Sequence, residues 1–155
     1  QFATWSEDTL VSYLGGLIEA GRDGINLMTL KYARMENLIP PLNPEILPLI
    51  DKIVENVLAW EVEFSQKFPF IQQARPIYKW QEAESGVTSS ETYLRGELET
   101  YPPDTLVLYF QDVMDKKNKG LNGIEMIYEH NVKSLGYESL QEANDTAKAK
   151  QEKQG

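Results

Sequence analysis

The sequence predicts an all-α fold, a single compact bundle of about six helices. Apolar residues recur at helical spacing in six segments, and no stretch sustains the alternation of a strand. Pro- or Gly-marked turns separate the periodic segments. A chain of 155 residues is long enough for one domain with a real core.

Residues 4–20 predict the first helix, with Thr4 and Glu7 at capping-box spacing. Leu10, Val11, Tyr13, Leu14, Leu17 and Ile18 form its apolar face. Gly21 is the expected stop and Asp23-Gly24 a turn. Residues 25–39 predict the second helix, with Lys31 inside its apolar arc and Arg34 at the edge. Residues 45–68 hold the longest pattern, from Ile46 to Phe68, and Pro48 is tolerable in the first turn. Glu61 falls among Ile50, Val54 and Val57 on that face.

Residues 69–87 have no clear period and predict one long irregular loop, packed down by its aromatics Tyr78 and Trp80. The stretch Thr88 to Pro103 then organises the middle of the chain. Thr88 and Glu91 have capping-box spacing, and the two prolines end the helix. At about 100° per residue, Tyr93, Leu94, Glu97, Leu98 and Tyr101 share a face. Asp104 is the expected cap of the next helix and Gly120 its end. Asn122 caps another, whose core face of Ile124, Ile127, Tyr128, Val132 and Leu135 includes Asn131. Gly136 closes it, and Ser139 opens a last turn. The domain is expected to span residues 1–140, and 141–155 to be a polar, frayed C-terminal tail. The chain opens on Gln1 rather than Met, so a processed or N-terminally trimmed chain is expected.

The net charge is −9 and the pI about 4.7, which disfavours nucleic acid and anionic membrane surfaces as partners. Without Cys there is no thiolate metal site, and His130 alone cannot build a multi-histidine one. Neither a metal nor another cofactor is expected. No apolar run reaches membrane-span length, and a cytoplasmic location is the default. The oligomeric state is left open.

A carboxylate on an apolar stripe is costly unless paired. Lys31, Glu61, Glu97 and Asn131 all fall on predicted core arcs, with Arg34 beside them. Some of these groups are expected to meet in a polar cluster between helices. Glu97 and Glu61 are the candidate catalytic carboxylates. Lys31, Arg34, Glu91, Tyr93, Arg95, Tyr101 and Asn131 are the candidate ligand-binding groups. Each has a plainer structural alternative: internal salt bridge, surface i,i+4 pair, or aromatic packing. An internal echo adds to this. Ser12-Tyr13-Leu14-Gly15-Gly16-Leu17-Ile18-Glu19 resembles Thr92-Tyr93-Leu94-Arg95-Gly96-Glu97-Leu98-Glu99. Leu17, read as a plain core position, then corresponds to Glu97.

The run from Thr88 to Leu98, together with Lys31-Tyr32-Ala33-Arg34-Met35, Arg75-Pro76-Ile77 and Gly136-Tyr137-Glu138-Ser139-Leu140, resembles a bacterial family catalogued as domain of unknown function number 4125. The resemblance covers most of residues 1–140 and implies no activity. It implies further sequence before the equivalent of Gln1, and Pro102 departs from the small polar residue the family favours there.

Two functions fit the sequence. One is a non-catalytic helical domain that binds a small molecule or a protein partner through the polar cluster. An exposed apolar patch would favour the protein, or else mark the place of missing N-terminal helices. The other is a carboxylate-dependent enzyme, with Glu97 or Glu61 as acid/base or hard-metal ligand and Lys31 or Arg34 holding an anionic substrate group.

Overall fold

Buried apolar side chains on one long helix organise the fold. The computed structural model describes residues 2–71 and 75–155, and among them finds eight α-helices and no strand. They are α1 (Glu7–Arg22), α2 (Leu27–Met35), α3 (Leu47–Lys67), α4 (Glu82–Ser85), α5 (Ser90–Glu99), α6 (Pro103–Asn118), α7 (Gly123–Ser134) and α8 (Leu140–Gln154). The all-α class stands, with eight helices rather than about six. Helix α3 buries Ile50, Ile53, Val54, Val57, Leu58 and Phe64, and packs against α5, α6 and α7. Around it, α1 lies on α6, α2 on α5, and α8 on α7. The main core joins this helix to Leu98, Tyr101, Leu106 and Val113, and a smaller one gathers Phe64, Phe68, Val132, Leu140 and Ala143.

Several element boundaries differ from the expected ones, each for a local reason. Ser6 rather than Thr4 caps α1, because its hydroxyl accepts from the Thr9 amide. Helix α1 also runs past Gly21 to Arg22, and Gly24 takes the left-handed turn. Helix α2 ends at Met35, since Asn37 adopts a left-handed φ of 57°. Ser89, not Thr88, caps α5. Pro103 occupies the first turn of α6, where its missing N–H costs nothing, so Asp104 is a first-turn acid rather than the cap. Asn122 does cap α7, accepting from the Glu125 amide.

The stretch 69–87 is not wholly irregular. Around residues 72–74, which lie outside the described residues, it includes a 3₁₀ turn (Lys79–Gln81) and α4. Ile77 and Tyr78 pack on the core, but Trp80 stands in solvent, contrary to expectation. The C-terminal stretch is a helix rather than a frayed tail. Ala143 and Asn144 are buried, and the Asn144 side chain accepts from the Phe70 amide at 3.0 Å.

The largest departure is the phase of α1. Its hydroxyl and small residues face inward: Thr9 donates to Asp112 at 2.8 Å, Ser12 and Thr105 share a 2.7 Å hydrogen bond, and Gly16 abuts Pro102. Leu10 and Tyr13 pack on the core, but Val11, Leu14, Leu17 and Ile18 are exposed. The expected core position Leu17 is therefore at the surface. A close helix–helix approach through small residues and hydroxyl bonds has taken the place of the apolar stripe. Likewise α7 turns Ile124, Tyr128 and Val132 inward and leaves Leu135 outside.

Candidate functional site

Helix α5 gathers most of the polar groups singled out in the sequence, and its start is tied down by a carboxylate from α4. Ser89 is fully buried, and its hydroxyl accepts from the Thr92 amide at 3.1 Å. Glu82 Oε1 accepts from the Ser89 amide at 2.8 Å, the Ser89 hydroxyl at 2.7 Å and the Thr92 hydroxyl at 2.6 Å. The Thr92 hydroxyl first, then the Ser89 amide, hold the Glu82 carboxyl below its usual range. The amides of Ser90 and Glu91 donate to the carbonyls of Pro76 and Ile77, both at 2.9 Å. The opening amides of α5 are thus all spent within the chain.

Along the helix, two ion pairs join α5 to α2. Lys31 Nζ lies 3.0 Å from Glu97 Oε2, and the Tyr101 hydroxyl donates to Glu97 Oε1 at 3.3 Å. Arg34 Nε donates to Glu99 at 3.0 Å and its Nη1 to the Ile39 carbonyl at 2.8 Å. These two side chains are only 12% and 10% exposed. Burial, reinforced by the charge on Glu97, raises the Tyr101 and Tyr13 hydroxyls above their usual range, so both stay protonated. Arg95 bonds Glu91 at 2.8 Å and Asp51 on α3 at 2.6 Å.

Glu61 on α3 keeps different company. The Ser90 hydroxyl donates to it at 2.6 Å. Burial pushes the Glu61 carboxyl above its usual range, against the opposing pull of the Ser90 bond and the nearby Arg75 charge. The Arg75 guanidinium lies 4.7 Å from the centre of the Tyr93 ring, and Lys31 Nζ 5.8 Å from the same centre.

The structure therefore brings Lys31 to Glu97, Arg34 to Glu99, and Arg95 to Glu91, with Arg75 and Lys31 both near the Tyr93 ring. Asn131 joins none of these groups: it is exposed on α7, because the inward face of that helix is set by Tyr128 and Val132. Sequence reasoning passed over Glu82 and Asp112. The first lies where no period marks an inward side, and the second bonds a hydroxyl face that no apolar stripe announces.

The chemistry open to these groups is narrow. Ser90 and Glu61 are placed as a nucleophile and a base, but acyl transfer also needs donors for a developing oxyanion. The α5 amides that could supply them already bond Ser89, Pro76 and Ile77. His130 is exposed on α7. Among the described residues no three His, Asp or Glu side chains converge as a metal site would require. A cleft of about 290 Å³ lies against Trp60, Glu63, Lys117 and Asn122, and another of about 310 Å³ beside Met126, Glu129 and His130. Neither is lined by Glu97, Glu61 or Lys31. Among the described residues no helix is long and apolar enough to cross a membrane.

No curated protein and no solved structure matches the chain. A family model described as a protein of unknown function (DUF4125) matches residues 1–145. With that match covering nearly its whole length, the chain belongs to this all-helical family.

Proposed function

We propose that the chain is a non-catalytic helical binding domain, and that it takes a protein partner on the outer face of α1 and α2. One observation carries this reading: α1 turns its small and hydroxyl residues to the core and its large apolar residues to solvent. Val11 is 64% exposed, Leu14 53% and Ile18 57%. A helix apolar on its outer side is ordinarily covered, and a continuous apolar surface on a soluble domain marks an interaction site. The ionic groups support the same reading by what they leave unoffered. Lys31, Arg34 and Arg95 each already have a carboxylate, so the seam works as a clip between helices. The bacterial, cytoplasmic setting expected from the sequence belongs to this proposal.

A carboxylate enzyme is the second reading, favoured by the raised pKa of Glu61 beside a serine hydroxyl. The spent amides of α5 weigh against it.

A photo-crosslinking residue placed at Leu14 tests the proposal in the native host, with Glu55 on the polar side of α3 as control. The expected result is one discrete crosslinked protein from position 14, lost when Ile18 is also changed to Gln, and none from position 55. Equal labelling from both positions, or none from position 14, overturns it.

A further inference from the structure

Resting on that reading, we infer that the partner presents an amphipathic helix with basic flanks. The apolar residues come in two groups. Val11, Leu14 and Ile18 lie at i, i+3 and i+7 on α1, and Met28 and Tyr32 lie at i and i+4 on α2, with Ile25 in the turn before its cap. All six are exposed. This is the pattern by which one helix lies along another.

The charges around them set the sign of the partner. Glu7, Asp8, Glu19, Asp23 and Glu36 are exposed, and none takes part in an ion pair formed among the described residues. Lys31 and Arg34, the other cations of this stretch, are turned to α5 and neutralised there. Arg22 is the one cation left on the rim among residues 7–36, against five carboxylates. A second copy of the chain would set this acidic rim against an identical one, with a net charge of −9 on each side. A helix carrying Lys or Arg beside its apolar stripe meets both features at once.

Fluorescence anisotropy with three labelled synthetic helices of identical leucine stripe, their polar positions filled with Lys, Gln or Glu, tests the inference. The Lys helix should bind about tenfold tighter than the Gln helix, and the Glu helix weakest of the three. Raising the salt from roughly 0.05 to 0.5 M should shrink that preference. The triple change Glu7→Gln, Glu19→Gln, Glu36→Gln should bring the Lys helix down to the Gln helix. The double change Leu14→Gln, Ile18→Gln should weaken all three. If the Lys and Gln helices bind alike, and both lose affinity in the leucine–isoleucine variant, the protein-binding reading survives and the basic partner is overturned. If that variant leaves every affinity unchanged, the reading itself falls. If sedimentation shows a dimer that the same variant dissolves, the occupant is a second copy and the inference is overturned.

Discussion

Helices α1 and α5 carry the same short run of sequence and meet opposite fates. In both, a Tyr-Leu pair precedes a glycine three residues on, Gly16 in one and Gly96 in the other. Helix α5 has α2 on one side and α3 on another; among the described residues, α1 has only α6 as a substantial helical neighbour. So Glu97 is partly buried and paired, while its counterpart Leu17 is exposed. An apolar stripe states what a helix could bury. How much it does bury depends on how many elements flank it, and that is a property of the whole chain.

The largest effect expected from this contrast lies on the flanked helix. Glu99→Ala leaves Arg34 inside the fold with only the Ile39 carbonyl as partner, and should cost about 3–5 kcal/mol, read by urea unfolding. The double change Arg34→Met, Glu99→Leu should recover most of that loss, because two apolar groups of similar size need no partner. A loss under about 1 kcal/mol for the single change would show that the pair is effectively solvated.

The two glycines sharpen the comparison, since each marks a close approach. A Cβ on Gly96 would come within 2.6 Å of Met35 Cγ, and one on Gly16 within 2.6 Å of Pro102 Cγ. Alanine at either should cost about 1–3 kcal/mol, more at Gly16, where a proline ring yields less than a methionine chain. Gly15 has open space around its would-be Cβ. Alanine there should stabilise by up to about 1 kcal/mol, and thermal melts of the three variants would rank them.

These residues also show what was legible beforehand. Six of the eight described helices could be read because apolar period and turn residues are local, and Asn122 as a cap is local too, whereas α4 and α8 carry too little apolar stripe to announce themselves. Charges on predicted core arcs marked Lys31 and Glu97 for the same reason. The phase of α1 could not be read from its stripe, because Thr9, Ser12 and Gly16 outcompete leucine for the inner face only when Asp112, Thr105 and Pro102 are opposite. Arg34 finds Glu99, while Arg95, spaced i,i+4 from that same carboxylate, goes to Glu91 and Asp51. That choice is decided by α2 and α3, both distant in sequence. Asn131 was misplaced because α7 is rotated toward the smaller core by Phe64 and Phe68.

Acid separates two carboxylates that both touch the start of α5. The folded-state pKa of Glu82 is depressed below its ordinary value of 4.5, so its contribution is present above that pH and lost as the pH falls through the folded value. Glu82→Ala also strands the buried Ser89 donors and should cost about 1–3 kcal/mol at pH 7, with the deficit shrinking in acid. For Glu61 the sign is reversed. Its raised pKa gives a contribution fully present below 4.5 and lost as the pH rises through the folded value. Glu61→Gln keeps an acceptor for Ser90 and should equal or slightly exceed the parent in stability at pH 7, the advantage vanishing in acid. Urea midpoints measured from pH 3 to 8 would show both variants converging on the parent in acid, Glu82→Ala from below and Glu61→Gln from above; curves parallel to the parent's would mean that neither carboxyl differs between the folded and unfolded chain.

The smallest effect belongs to the outer face of α1. Leu14→Gln and Ile18→Gln alter side chains that the fold leaves more than half exposed, so each should change stability by no more than about 0.5 kcal/mol. Both are among the larger aliphatic side chains, and in a core either truncation would cost several times as much. Calorimetric melting of the isolated chain decides between the two situations. A melting temperature that stays put means these residues are held for something outside the fold. A drop of many degrees would mean that the helix rotates its leucines inward in solution, and the contrast between α1 and α5 would disappear with it.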